Sequence, residues 1–207
     1  MTTPPQLSKS PDDLVEPAWQ IARLFPAQGA WSEEEYLALT NDTNHLVEFS
    51  HGYVEVLPMP TRRHQKIVFF LSRVLHSFLT VGALGTVLFA PLRVRLWEGK
   101  FREPDLVVML ASHQDREHEA YFEGADLVME VVSDDDPDRD LLTKRLEYAQ
   151  AGIPEYWIVE PQTETITVLR LDQNSYVEHG RFERGTVAVS ALIEGLEVDV
   201  AAVFDEV

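Results

Sequence analysis

One acid set inside an apolar run constrains this chain more than any other feature. Leu127-Val128-Met129-Glu130-Val131-Val132 reads as a strand covered on both faces, the pattern of a sheet centre, and Glu130 falls within it. A buried carboxylate is costly, or loses its charge, unless a cation or metal compensates it. A second acid, Asp105, opens another apolar strand directly after Pro104. Glu130 follows it by 25 residues, a spacing that allows two neighbouring strands joined by a loop.

Two converging carboxylates suit a hard divalent cation such as Mg²⁺ or Mn²⁺, which keeps several waters. Such an ion can acidify a water and shield charge developing on a phosphate. The chain has no cysteine, so every thiolate site and disulfide is excluded. Lys144 lies 14 residues beyond Glu130, with Asp140 and Tyr148 one helical turn on either side. Residue spacing leaves the alternative open that both acids face solvent at strand ends and that Asp140 and Lys144 form a surface ion pair.

The rest of the chain supplies a frame for these residues. Residues 1 to 30 hold five of the twelve prolines and predict a loosely packed extension. A single domain is expected over 31–207. Ser32 through Glu35 forms a capping-box pattern ahead of a short helix. Residues 45 to 50 and 53 to 57 flank His51-Gly52 as a hairpin carrying Glu48, and Thr61 caps a longer amphipathic helix ending near Gly82. Strands are expected at 86–89, 93–97, 105–110 and 126–132. A helix at 138–151 is expected to turn Leu142, Leu146 and Ala149 inward, and the strand Glu155 to Val159 follows. Alternating runs from Thr165 onward predict an antiparallel addition. The fold class is mixed α/β.

The net charge of −18 is unlike the basic footprint of a nucleic-acid protein. It is unevenly spread. From Arg62 to Arg102, eight Lys or Arg meet one acid, whereas from Glu103 to Asp140 thirteen acids meet two arginines. Two readings remain: solvated surfaces of opposite sign, or a basic flank beside an acidic metal site. In the second, Arg62, Arg63, Lys66, Arg93, Arg95, Lys100 and Arg102 are candidate DNA contacts. The start of the chain lacks a signal-peptide pattern and the apolar runs are too short to span a bilayer, so a cytoplasmic protein with no membrane partner is expected.

Several segments together resemble the Uma-type restriction-endonuclease family of the PD-(D/E)XK nuclease superfamily. They are Val47-Glu48 with Gly52-Tyr53-Val54-Glu55, the Pro60 to His64 segment, Pro104-Asp105-Leu106-Val107-Val108, and Asp126 to Pro161 with Asp140, Lys144, Tyr148 and Ala151-Gly152-Ile153-Pro154-Glu155-Tyr156-Trp157. The match spans roughly residues 31 to 171. The resemblance implies a restriction-endonuclease-like mixed central sheet flanked by helices, Mg²⁺ dependence and hydrolysis of phosphodiester bonds in DNA. It implies Asp105, Glu130 and Glu48 as acids of the metal site and a backbone carbonyl from Val131. The superfamily's usual lysine two residues after the acid is replaced by Val132, and its role passes to Lys144. His64 is a further candidate, alongside Asp140 and Tyr148.

The function expected is a Mg²⁺-dependent endodeoxyribonuclease acting on double-stranded DNA as a homodimer. Two other functions suit the acidic balance: a catalytically weak nuclease-fold module that binds DNA or protein, and a hydrolase of small phosphoesters.

Overall fold

In a computed structural model, residues 25–43, 45–133 and 135–205 are described. The expected extension over residues 1–30 therefore lies mostly outside the described residues. Its last six residues are mostly exposed and touch the hairpin and Trp31: Gly29 N–H donates to Gly52 O at 2.7 Å, Gln28 pairs with the Val54 backbone, and Phe25 stacks on Trp31.

Helix α1 (Glu33–Asn41) begins at Ser32, whose hydroxyl accepts from Glu35 N–H while the Glu35 carboxylate accepts from Ser32 N–H, completing the capping box. Strands β1 (Val47–Ser50) and β2 (Tyr53–Val56) form the expected hairpin, with Gly52 at φ 85° in its turn. A Cβ at Gly52 would meet Gly29 O at 2.6 Å, so glycine is required there. Helix α2 (Arg62–Gly82) starts at the Thr61 cap and buries Ile67, Leu71, Leu75 and Leu79. Each such side chain contributes about 1.5–3 kcal/mol over leaving it in water.

Next come β3 (Gly85–Phe89), β4 (Val94–Trp97), β5 (Lys100–Arg102) and β6 (Leu106–Leu110), a 3₁₀ segment at Ala111–Arg116, then β7 (Phe122–Glu123) and β8 (Leu127–Val131). Strand β5 has no apolar pattern to announce it. After a π-helical turn over Arg139–Thr143, the chain continues as α3 (Lys144–Gln150), β9 (Glu155–Glu160), β10 (Thr165–Asp172), β11 (Ser175–Glu183), β12 (Val187–Val189), β13 (Glu197–Asp199) and α4 (Val200–Asp205).

The main sheet has the order β11-β10-β9-β8-β6-β3; β8 and β9 run parallel and the other pairs are antiparallel. A second sheet, β2-β1-β5-β4-β7, carries the hairpin, and β12 pairs with β13. Strand β8 is fully buried and central, as its apolar run predicts. Leu127, Met129 and Val131 enter the core under α2, while Val128 and Val132 enter the core under α3. Strand alternation therefore turns Glu130 toward α3. Leu106 pairs with Met129 and Val107 with Val128, so one further rung sets Asp105 opposite Glu130.

Among the described residues no helix is long and apolar enough to cross a membrane.

Candidate active site

Asp105 and Glu130 thus share one face of the sheet at adjacent strand ends. Asp105 Oδ2 accepts from Val131 N–H at 2.8 Å and meets His64 Nε2 at 3.0 Å, so the first turn of α2 fixes its orientation. Burial works against a charged His64, but the hydrogen bond and charge of Asp105 outweigh it and hold the imidazole pKa above its ordinary value.

The second wall comes from the π turn and α3, where the outcome differs from the expected helix phase. Leu142 and Leu146 are 57% and 72% exposed, whereas Asp140, Lys144 and Tyr148 are buried. A π turn over Arg139–Thr143 leads into α3, and the stripe of Asp140, Lys144 and Tyr148, still one turn apart, faces the sheet because Glu130 and Glu48 pair with it there. Of the three apolar residues expected inward, Ala149 alone is buried.

Lys144 Nζ lies 2.9 Å from Glu130 Oε2, 3.0 Å from Asp140 Oδ1 and 4.0 Å from Glu48 Oε1. Burial opposes the ammonium charge, but these three acids outweigh it and keep Lys144 charged. Tyr148 Oη donates to Glu130 Oε1 at 2.5 Å. Burial pushes Glu130 up to about 8; Lys144 pulls the other way, and the neighbouring charges of Asp140 and Asp105 add to the rise. Burial also raises Asp140.

Glu48 sits apart from the cleft. It is 1% exposed, its Oε2 is paired with Arg102, and its Oε1 accepts from Glu103 N–H at 3.4 Å. Its link to the site is the Lys144 side chain. Behind it, Glu147 receives Arg102 through 2.7 and 2.9 Å bonds and Lys100 Nζ at 2.6 Å. Lys100 and Arg102 are therefore buried struts rather than the surface DNA contacts expected of them, because Glu147 and Glu48 draw both inward. Arg93 is bonded to Thr40 and Asn41, and Arg95 to Glu33, which commits them to holding α1. Arg62 and Lys66 are exposed on α2. Arg63 borders the cleft and donates to Pro161 O at 2.7 Å.

The cleft encloses about 330 Å³ and is bordered by Arg63, His64, Glu103, Asp105, Glu130, Val131, Asp140 and Lys144, among others. Glu103 was not singled out in the sequence. It accepts from Val47 N–H at 3.0 Å, and burial pushes it up to about 7. Its only sequence signal is its place two residues before Asp105.

Among the described residues, no group of three or more His, Cys, Asp or Glu side chains forms a ready metal shell. Two carboxylates and a backbone carbonyl are nonetheless a hard-oxygen set of the kind Mg²⁺ takes with its waters. Glu130, raised by burial and by the neighbouring Asp140 and Asp105, is also a carboxylate whose charge a cation would stabilise. The residues fit the ion.

Residues 33–201 match the Uma2 family, described as “Putative restriction endonuclease”. The chain belongs to that family. The match runs past residue 171 into the C-terminal strands, farther than the resemblance read from the sequence. This Uma2 chain is also similar in fold to the crystal structure of a “putative nuclease belonging to DUF820” from Anabaena variabilis, with a TM-score of 0.66 and 19% identity, covering 82% of this chain and 97% of that one. No curated protein matches it. The restriction-endonuclease-like mixed sheet flanked by helices is thus the fold of this Uma2 member.

Proposed function

We propose that this chain is a Mg²⁺-dependent endonuclease that hydrolyses phosphodiester bonds in DNA at the Asp105–Glu130–Lys144 cleft. The supporting observation is Lys144: it arrives from a different element, yet its Nζ reaches Glu130 and borders the same cavity as Asp105.

Asp105 and Glu130, with the Val131 carbonyl, would hold the cation, and Mn²⁺ has the same ligand chemistry. When bound, the cation supplies an acidified water and shields charge on the phosphate. Lys144 presents a permanent positive charge toward the reacting phosphate, stabilising its transition state and orienting the attacking water. Tyr148 fixes one oxygen of Glu130, and His64 fixes one of Asp105. Glu48 acts on the reaction through Lys144 instead of from the metal shell. Asp140 holds Lys144 from the other side.

A duplex cut on both strands calls for two such clefts, so a homodimer is the proposed working assembly. The cysteine-free composition accords with a reducing, cytoplasmic setting. The decisive assay incubates the protein with plasmid and Mg²⁺ or Mn²⁺. Cleavage by the natural chain that disappears in Asp105→Asn, Glu130→Gln and Lys144→Ala supports the site. Cleavage that survives all three contradicts it, and no cleavage at all favours the binding-module alternative.

A further inference from the structure

A second cavity of about 300 Å³ lies beside the cleft, bordered by Met59, Gln65, Val68, Phe69, Ser72, Phe89 and Pro91, and it shares Leu46, Met59, Pro60, His64 and Asp105 with the cleft. Its lining is mainly apolar. Met59, Phe69 and Phe89 are 74%, 63% and 56% exposed, which is unusual for three large apolar side chains around one hollow. Arg73 stands over the Phe69 ring at 5.7 Å to the centroid. His64, in the wall common to both cavities, has a buried Nδ1 with no hydrogen-bond partner among the described residues.

We propose that this hollow is a nucleobase subsite that takes an unpaired base next to the scissile phosphate. The proposal rests on the nuclease reading above and specifies its substrate: duplex DNA in which the nucleotide at each cut is unpaired or extruded from the stack. Three features select a base over other occupants. The hollow opens onto the position where a phosphate would meet Asp105 and Lys144, so a nucleotide spanning both cavities places its base here. The exposed phenyl surface of Phe69 and Phe89 suits a flat heterocycle held by stacking, and every base offers such a face. The chain's charge of −18 weakens attachment through a phosphate backbone, so a larger share of the affinity must come from neutral contacts. Gln65 at the rim supplies one amide for a base edge, and a fully paired duplex would first have to extrude its base, at a cost.

The test uses the full chain and a single-stranded oligonucleotide carrying 2-aminopurine, in EDTA so that nothing is cut. The expected result is quenching of the fluorophore on binding, with Kd raised about 5- to 100-fold in Phe69→Ala or Phe89→Ala, and weaker binding of the fully paired duplex of the same sequence. Unchanged circular dichroism of both exposed-site variants guards against misfolding. Glu130→Gln, which borders the cleft and not the hollow, should keep the quenching while losing cleavage in Mg²⁺, which separates this subsite from the nuclease reading. Absent quenching, equal quenching in the Phe69→Ala and Phe89→Ala variants, or duplex bound as tightly as single strand overturns the proposal.

Discussion

Lys144 Nζ stands 2.9 Å from Glu130 Oε2, although the two residues belong to α3 and β8 and the π turn separates them. The contact makes one buried cation common to Glu130, Asp140 and Glu48. It is both a structural clamp and the proposed catalytic charge.

Replacing that cation should therefore cost stability as well as activity. Lys144→Met leaves buried acids without their partner, and unfolding free energy at pH 7 should fall by about 3–5 kcal/mol. Leu146→Gln, on the exposed side of the same helix, should stay within about 0.5 kcal/mol of the natural chain. Urea denaturation of the two variants measures the phase of α3. Equal losses would return α3 to the leucine-inward phase.

That phase shows where the sequence was legible and where it was not. The capping box at Ser32, the hairpin at His51-Gly52, the Thr61 cap and the buried strand around Glu130 are local patterns, and the structure reproduces each. The 138–151 segment misled because the helical period held but the inward face was assigned to the leucines, whereas Asp140, Lys144 and Tyr148, one turn apart, turn inward to meet Glu130 and Glu48. Strand β5 was illegible for another reason. Lys100 and Arg102 look like surface residues until Glu147 and Glu48, distant in sequence, neutralise them. For these two residues, neither reading of the basic segment, a solvated surface or a DNA-facing flank, holds. Of the candidate site, Asp105, Glu130 and Lys144, singled out in the sequence, border one cleft in the structure, while Glu103 carried no pattern of its own.

His64 should tune metal affinity without touching the ion. It holds Asp105 at 3.0 Å, and loss of such an outer contact typically weakens a metal site about 10–100-fold. His64→Ala is expected to show that loss in Mn²⁺ titration calorimetry. Glu48→Gln should leave Mn²⁺ affinity nearly unchanged while lowering kcat, since Glu48 faces Arg102 and Lys144. A matching loss of affinity in Glu48→Gln would restore it to the metal shell.

The metal-free protein should lose stability as pH rises. Glu130 moves from 4.5 to about 8 and Glu103 from 4.5 to about 7 on folding, so the folded state holds protons that the unfolded chain has released. This contribution is fully present below about pH 4.5 and is lost as pH climbs through 7 to 8. Urea midpoints in EDTA between pH 5 and 8.5 should fall with pH, less steeply in Glu130→Gln. Excess Mg²⁺ should flatten the slope, because a cation replaces the proton. A slope unchanged by both would argue against Glu130 as the group responsible.

DNA affinity should depend on the arginines at the start of α2 and not on the basic residues that hold other elements in place. Arg62→Ala and Arg63→Ala are expected to reduce the slope of log K against log salt by about 1 each. Arg95→Ala, whose natural partner is Glu33, should leave that slope unchanged. Filter binding across a salt series gives the comparison.

The central claim is a metal between Asp105 and Glu130 with Lys144 in the same cleft, and anomalous diffraction from a Mn²⁺-soaked crystal tests it most directly. The predicted result is one Mn²⁺ peak bonded to a carboxylate oxygen of each acid, with Lys144 Nζ directed into the cavity beside it. No peak at those carboxylates under saturating Mn²⁺, or Lys144 turned to solvent, would contradict the account.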